Sequence, residues 1–295
     1  MINSELDSNY QLRDVAATSL LTLYSRAIEN NSKEPIILDP LAVEITEKLN
    51  SQFSDSNNKL YRKLSQGNLI DNFFNQTLVV YIALRAKQYD QYTRNFLKRY
   101  PDGIVVNIGC GLDTRFHIID NGKVTFYDLD LPEIITLKKK LLAETERYHF
   151  ISSDVLNYNW VEKIIEQKNK SCLFIAEGVF MYLPEEQVKS LVLKLQSTFP
   201  GSELVAEVFN DFWLREPFTK IIDWKLQKEL QLGDKVTFKF GIQDSNELEK
   251  WNPGIKFIDE WSYLDEQEKK LGWLRIFKSF ELFRKGIWTV HYQLN

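Results

Sequence analysis

The chain has 295 residues, 44% of them hydrophobic and 13% aromatic, which suffices for one large domain with a well-filled core. Its formal net charge is −4, so no basic excess is present to neutralise the phosphates of a nucleic acid. The two cysteines and three scattered histidines lack metal-ligand spacing, and we find neither a signal peptide nor a membrane-spanning apolar run. We therefore expect a cytoplasmic protein with reduced thiols, without a metal, and with neither nucleic acid nor membrane as a partner.

Residues 1 to about 100 are predicted to be helical, with helices at Leu12–Glu29, from Asp39-Pro40 onward, and at about 68–99, and with a polar loop at 51–58. The third helix has an inward stripe of residues spaced three and four apart: Phe74, Leu78, Ile82, Arg85, Tyr89, Tyr92 and Phe96. Arg85 stands where an apolar residue is expected, and a buried guanidinium needs a partner. That partner is either a ligand carboxylate or an acid of the protein.

From Ile104 onward, strands and helices alternate, which predicts a parallel sheet with helices on both faces. The predicted strands are Ile104–Ile108, Val124–Leu129, His149–Ser152, Cys172–Ala176, Glu203–Val208, Ile255–Trp261 and Ile287–Leu294. The predicted helices between them are Arg115–Ile119, Pro132–Arg147, Asn159–Gln167 and Pro184–Thr198. We assign residues 1–100 to a helical cover and 101–295 to the sheet domain, with an aromatic insertion at about 210–253.

A Gly-x-Gly turn, Gly109-Cys-Gly111, follows the first strand. Glycine there admits positive φ and lets a ligand approach the backbone. A dinucleotide site needs a third glycine where this chain has Thr114, and no Gly-Lys-Ser/Thr follows, so a P-loop is excluded. The turn therefore favours S-adenosylmethionine over a nicotinamide dinucleotide, while a purely structural turn is also compatible with it.

Acids follow the next three strands at the edge where ligands bind in such sheets. They are Asp130 after the second strand, Asp154 after the third and Glu177 after the fourth. Carboxylates brought together repel one another unless a cation or hydrogen-bond donors lie among them, and S-adenosylmethionine supplies both. We expect Asp130 to accept from the ribose, Asp154 from the adenine amine, and Glu177 to lie near the amino acid end or the sulfonium.

Four blocks of the chain resemble the leucine carboxyl methyltransferase family, especially its bacterial branch of polyketide O-methyltransferase-like proteins. They are Thr18-Ser-Leu-Leu-Thr-Leu-Tyr-Ser-Arg26 with Asp39-Pro-Leu-Ala42, Asn107-Ile-Gly-Cys-Gly-Leu-Asp-Thr-Arg115, Tyr127-Asp-Leu-Asp-Leu-Pro132, and Ala176-Glu-Gly-Val-Phe-Met-Tyr-Leu-Pro184. The resemblance implies an α/β fold with a Rossmann-like class I methyltransferase sheet, helices on both faces, and an N-terminal helical cover.

By the same resemblance, Arg85 holds the cofactor carboxylate and Gly109 contacts the methionine moiety. Asp130 then lies at the ribose, Asp154 and Val155 at the adenine, and Glu177 beside the cofactor amino group. Family members often have an arginine where this chain has His117, which leaves the acceptor end of the site open.

The predicted function is O-methyl transfer from S-adenosylmethionine to a carboxylate of a small molecule, such as a polyketide. A carboxylate is already ionised near neutral pH, whereas a phenol needs a base, for which Tyr182 and His117 are the candidates. The alternatives are a protein C-terminal carboxylate as acceptor, a non-catalytic adenosine-binding module and, less favoured, a nicotinamide-dependent reductase. The sequence does not indicate an oligomeric state.

Overall fold

The computed structural model describes residues 15–52, 64, 73–165, 170–229 and 236–295. Among the described residues, its N-terminal part includes the helices α1 (Val15–Asn30), α2 (Pro40–Gln52) and α3 (Phe73–Arg99). Ser51 and Gln52 end α2 rather than begin the predicted loop. The rest of that loop, residues 12–14 of the first predicted helix and residues 68–72 of the third lie outside the described residues. No helix within the described ranges is long and apolar enough to span a membrane.

The rest of the chain builds a seven-stranded sheet of order β3-β2-β1-β4-β5-β7-β6. Its strands are β1 (Ile104–Ile108), β2 (Thr125–Asp130), β3 (Tyr148–Ser152), β4 (Cys172–Ala176), β5 (Ser202–Phe209), β6 (Ile255–Trp261) and β7 (Ile287–Leu294). Four of the seven have the predicted bounds, β3 differs by one residue at one end, and β2 and β5 differ by one residue at each end. The α/β fold with helices on both faces is therefore confirmed.

The prediction of a wholly parallel sheet is wrong for the last strand. β7 runs antiparallel to both of its neighbours, β5 and β6. Leu294, at the end of β7, lies opposite Ser202 of β5 on one side and Ile255 of β6 on the other. Residues 262–286 stay at the carboxyl edge after β6, so the chain enters β7 from that edge and runs back between β5 and β6. Apolar patterning does not report strand direction, because side chains alternate in the same way in both orientations.

The helices between strands are α4 (Arg115–Ile119), α5 (Pro132–Leu141), α6 (Asn159–Ile165), α7 (Glu185–Thr198), α8 (Phe218–Trp224) and α9 (Glu281–Arg284). The prediction of a helix up to Arg147 is wrong, because α5 ends at Leu141. After Leu141, the Glu144 carboxylate accepts a hydrogen bond from the backbone N–H of Phe150 at 2.7 Å. The Thr145 hydroxyl oxygen accepts one from the backbone N–H of Tyr148 at 3.0 Å. These side-chain bonds compete with helix continuation.

Alternate strand residues divide between two cores, one on each face of the sheet. Val105 packs with α1, α3 and α5 on one face, whereas Ile104 and Val106 pack with α6 and α7 on the other. This division follows the two-residue period of a strand. It explains why β1 is buried along its whole length.

The inward stripe of α3 is confirmed from Leu78 onward, while the Phe74 side chain lies outside the described set. Arg85 is 8% exposed and lies within the stripe, between Ile82 and Tyr89. The stripe packs across β5 and β7, and Arg85 faces the carboxyl end of the sheet.

At the opposite end, α3 is held by a cluster around His291 of β7. His291 Nε2 lies 2.9 Å from Glu203, and Nδ1 lies 3.4 Å from Asp259. Arg99 of α3 donates to both oxygens of Glu203 at 2.7 and 2.8 Å, and Tyr92 donates to Asp259. Burial lowers the pKa of His291, but the two carboxylates outweigh it and raise that pKa above 6.5.

A raised pKa in the folded state means that His291 stabilises the fold fully below about pH 6.5 and loses this contribution as pH rises through the folded pKa. We expect the difference in free energy of unfolding between wild type and His291→Gln to shrink as pH rises from below about 6.5 through the folded-state pKa of His291. Urea unfolding at several pH values measures it. A difference that stays constant, or that grows with pH, contradicts the assignment.

Candidate active site

A cavity of about 640 Å³ opens at the carboxyl ends of β1, β2, β3 and β4, covered by α1 and α3. The predicted site residues that line it are Arg85, Gly109, Gly111, Asp130, Asp154, Val155, Glu177 and Tyr182. The sequence spreads these residues over about 100 positions, and the sheet brings them to one edge because parallel strands end together.

The glycine turn after β1 forms the floor of the cavity. Gly109 and Gly111 have φ of 64° and 52°, in the left-handed region. A Cβ on Gly109 would stand 2.5 Å from Cγ2 of Val179, so the turn has no room for a side chain at this position. Gly109 is exposed and lines the cavity, so its backbone faces the open space.

Asp130 ends β2 and joins the turn. Its Oδ2 accepts from the Gly111 backbone N–H at 2.6 Å, and its Oδ1 accepts from the N–H of Leu131 at 2.7 Å. Burial raises the pKa of Asp130 to about 6, although the two backbone donors act in the opposite direction. Each carboxylate oxygen retains further lone pairs for a ligand donor.

Asp154 and Val155 lie in the turn after β3, at the rim of the cavity. The Asp154 side chain is exposed, and its Oδ1 accepts from the Leu156 N–H at 2.9 Å, so it also stabilises its own turn. The Val155 carbonyl accepts from the indole of Trp160 at 2.9 Å, which holds this turn against the second core.

Arg85 contacts acids of the protein as well as the cavity. Its Nε donates to Glu177 at 2.8 Å, and its Nη1 donates to Glu207 of β5 at 2.9 Å. Glu207 is 1% exposed, and burial raises its pKa. The two readings offered by the sequence are therefore both compatible with the geometry: Arg85 is ion-paired, and it lines the cavity.

The residue that sequence reasoning missed is Arg115, at the start of α4. It donates to Asp90 of α3, to Asp113 and to Glu177, each at 2.7 Å, with its side chain only 2% exposed. Arg115 is the last residue of the Gly-x-Gly-containing motif, so the sequence did mark its position. Spacing along the chain, however, does not show that three acids meet at its side chain.

A second arginine, Arg26 of α1, was also not assigned a role. Its Nη1 lies 3.0 Å from both Asp39 and Asp113, and its Nη2 donates to the Leu112 carbonyl at 2.8 Å. Through Asp113, Arg26 connects to Arg115 and from there to Glu177. The helical cover is thus joined to the glycine turn by buried charge.

Tyr182 and His117, the two candidate bases, occupy different places. Tyr182 lines the cavity and packs edge-on against Phe238, and burial raises its pKa, which makes it a poor base near neutral pH. His117 is exposed, packs against Phe116 and Tyr148, and does not line the cavity. The expectation that His117 lies near the acceptor is wrong, because its position in α4 directs it to the outer surface.

Comparison with known proteins agrees with this geometry. The family model described as "Leucine carboxyl methyltransferase" matches residues 19–196. The tetracenomycin polyketide synthesis O-methyltransferase TcmP of Streptomyces glaucescens is 27% identical over 260 residues, covering 86% of this chain and 85% of that protein. The S-adenosyl-L-methionine-dependent methyltransferase dpfgK of Gibberella zeae is 26% identical over 286 residues, covering 93% and 92%.

A crystal structure of a DUF574 family protein from Streptomyces avermitilis shares the fold with a TM-score of 0.56, at 12% identity over 94% of this chain and 97% of that one. The fold, the site and these relatives define an S-adenosylmethionine-dependent methyltransferase. More specifically, the chain belongs to the leucine carboxyl methyltransferase family.

Removing Arg115 leaves three acids without their shared cation. We expect Arg115→Ala to lower the free energy of unfolding by about 3–5 kcal/mol. Arg147→Ala is the matched control, because its ion pair with Asp120 is on the surface and should contribute little. Urea unfolding of both variants tests this, and equal effects would show that the buried contacts of Arg115 are not a major source of stability.

If Asp130 accepts hydrogen bonds from the cofactor ribose, its carboxylate must be ionised to do so fully. We expect the affinity for S-adenosylhomocysteine to fall as pH drops through about 6, the pKa of this carboxyl. Asp130→Asn should weaken binding roughly tenfold or more at neutral pH and remove that pH dependence. Isothermal titration calorimetry measures both, and an unchanged affinity would exclude Asp130 from the cofactor site.

Proposed function

We propose that this protein is an O-methyltransferase that acts on a carboxylate of a small, largely apolar molecule. The observation that supports this most directly is the composition of the cavity. Part of the lining is the glycine turn with acids, and another part consists of apolar and aromatic side chains. These side chains include Leu21, Leu78, Tyr81, Tyr182, Leu226 and Phe238.

The acids in and around the cavity suit a ligand that carries positive charge. The buried ion network places three arginines among five acids: Arg26, Arg85 and Arg115 with Asp39, Asp90, Asp113, Glu177 and Glu207. A surplus of carboxylates in a buried site favours a ligand that brings positive charge, and burial already raises the pKa of Asp90 to about 6. The sulfonium and ammonium of S-adenosylmethionine provide such charge.

In this proposal Glu177 and Arg85 hold the amino and carboxylate groups of the methionine moiety. Asp130 holds the ribose hydroxyls, and Asp154 with Val155 holds the adenine. When bound, S-adenosylmethionine would supply a methyl group on a sulfonium: the acceptor oxygen would bond to the methyl carbon as the carbon–sulfur bond breaks, and S-adenosylhomocysteine would leave. The protein's own contribution is to align that oxygen with the methyl group and to exclude water.

Carboxylate as the acceptor is supported by the bases present. His117 lies outside the cavity, and Tyr182 has a raised pKa, so neither predicted base serves. A carboxylate needs no base, since it is ionised near neutral pH. A small-molecule acceptor also accords with TcmP, a polyketide synthesis O-methyltransferase that is similar to this protein over 86% of its length.

A hydroxyl acceptor is the second candidate, favoured by one contact. Tyr81 lines the cavity, and its hydroxyl donates to the buried Glu207. Burial raises the pKa of Glu207, which makes it a stronger base than an ordinary glutamate. An acceptor hydroxyl beside Tyr81 would pass its proton to the tyrosine oxygen while the tyrosine proton moves to Glu207.

Transfer of a labelled methyl group separates the two candidates. Purified protein is incubated with methyl-labelled S-adenosylmethionine and a panel of apolar aromatic acids and matched phenols, and products are treated with mild alkali. We expect label in the acids as methyl esters, which alkali releases as methanol, whereas methyl ethers are stable. Asp130→Asn serves as the inactive control.

Label that resists alkali, and that is lost in Tyr81→Phe, would instead assign a hydroxyl acceptor. Label found only in the macromolecular fraction of a cell extract would assign a protein carboxylate.

A further inference from the structure

The segment Lys269–Arg284, at the carboxyl edge of the sheet, exposes several large apolar side chains. Trp273, Ile276, Phe280 and Phe283 are 56%, 62%, 59% and 45% exposed. Grouped exposed apolar side chains of this size mark interaction surfaces in folded proteins. The cavity does not use them, because none of the four lines it.

Trp273 and Phe283 belong to a chain of ring contacts, and we name this chain, with the neighbouring exposed Ile276 and Phe280, the aromatic ridge. Successive ring contacts run Trp273–Phe277, Phe277–Phe283, Phe283–Trp213 and Trp213–Phe218, with centroids 5.5, 5.0, 5.6 and 5.2 Å apart. The ridge therefore joins the segment after β6 to the insertion after β5. Packing of ring on ring holds the exposed faces in place.

The segment between β6 and β7 has a basic excess in an otherwise acidic protein. Residues 262–286 contain six basic residues and four acids, whereas the whole chain has a net charge of −4. Arg284 and Lys285 are ion-paired with Glu260, at 2.7 and 3.0 Å. Lys269 and Lys278 are exposed beside the ridge, so their charge is available to a partner.

The position of the ridge links it to the cavity. Ile287 begins β7 directly after this segment and lines the cavity wall. On the other side, Leu226 also lines the cavity, and it follows α8, where Ile221 and Trp224 are 54% and 58% exposed. A partner on the ridge therefore lies at the edge of the sheet through which the cavity opens.

We propose that the aromatic ridge docks this protein on an anionic lipid surface. Exposed Trp, Phe and Ile flanked by Lys and Arg are the composition of segments that lie in the membrane interface. Basic side chains there are attracted by anionic headgroups. A second copy of the chain is the weaker occupant, because a two-fold contact would bring the same basic residues together.

This proposal goes beyond the expectation of no membrane partner, which depended only on the lack of a membrane-spanning run. Interfacial docking needs no such run, since only one face of the protein enters the headgroup layer.

Sedimentation with lipid vesicles tests the proposal on the full chain. We expect binding to vesicles of phosphatidylcholine with phosphatidylserine, weakening as salt rises, and little binding to phosphatidylcholine alone. The double variant Lys269→Glu, Lys278→Glu should lower the partition coefficient roughly tenfold or more. The matched control Lys189→Glu, Lys194→Glu makes the same charge change on the exposed face of α7 and should leave it within about twofold.

A second pair of variants tests the apolar contribution. Trp273→Ala with Phe280→Ala should lower the partition coefficient by roughly tenfold or more. Ile258→Ala, which removes a 45% exposed side chain from β6, is the control and should have little effect. Thermal melting verifies that each variant is folded. Calorimetry with S-adenosylhomocysteine measures the cofactor site separately from vesicle binding. A failure of the lipid-docking proposal is therefore distinguishable from a failure of the proposed function.

No binding to anionic vesicles overturns the proposal, as does equal binding to neutral vesicles or equal loss in the control variants. A wild-type dimer that Trp273→Ala converts to monomer, without vesicle binding, overturns it in favour of self-association. Capture of an acidic protein by the ridge, again without vesicle binding, overturns it in favour of a protein partner.

Discussion

The structure depends on one shared set of charges beneath the cavity: Arg115 between Asp90, Asp113 and Glu177. These contacts connect α3, α4, the glycine turn and the end of β4 in one place. Because all four groups are largely buried, none can turn to water instead. Loss of the cation would leave Asp90 without an arginine, and would leave Asp113 and Glu177 with only Arg26 and Arg85. The position of the cover over the sheet is set here, and so is the shape of the cavity.

The same charges connect stability to ligand binding. Glu177 is shared between Arg115 and Arg85, and Arg85 reaches Glu207 on β5. Acids outnumber arginines in this network, so the protein without a ligand carries an electrostatic cost that a cation reduces. This accords with a methyl donor that is itself a cation, and it explains why an arginine lies on an otherwise apolar helix stripe.

The reversed last strand has its own consequence. Because β7 runs opposite to β5, residues 262–286 do not cross back under the sheet but remain beside the cavity. The aromatic ridge is therefore at the same edge as Tyr182 and Asp130. A fully parallel sheet would have required this connection to cross over one face, where its aromatic side chains would pack against strands.

The amino-acid sequence by itself determined the local elements and the chemistry of the ligand. The Gly109-Cys-Gly111 turn, the acids after the strands and the apolar alternation depend on neighbours in the chain, and from these the class of cofactor and most strand bounds followed. Tertiary structure alone decided what lies far apart in sequence: the reversal of β7, the exclusion of His117 from the cavity, and the meeting of Arg115 with three acids. The reason is physical, since side-chain periodicity reports which face is buried but carries no information about strand direction or about which buried charges will meet.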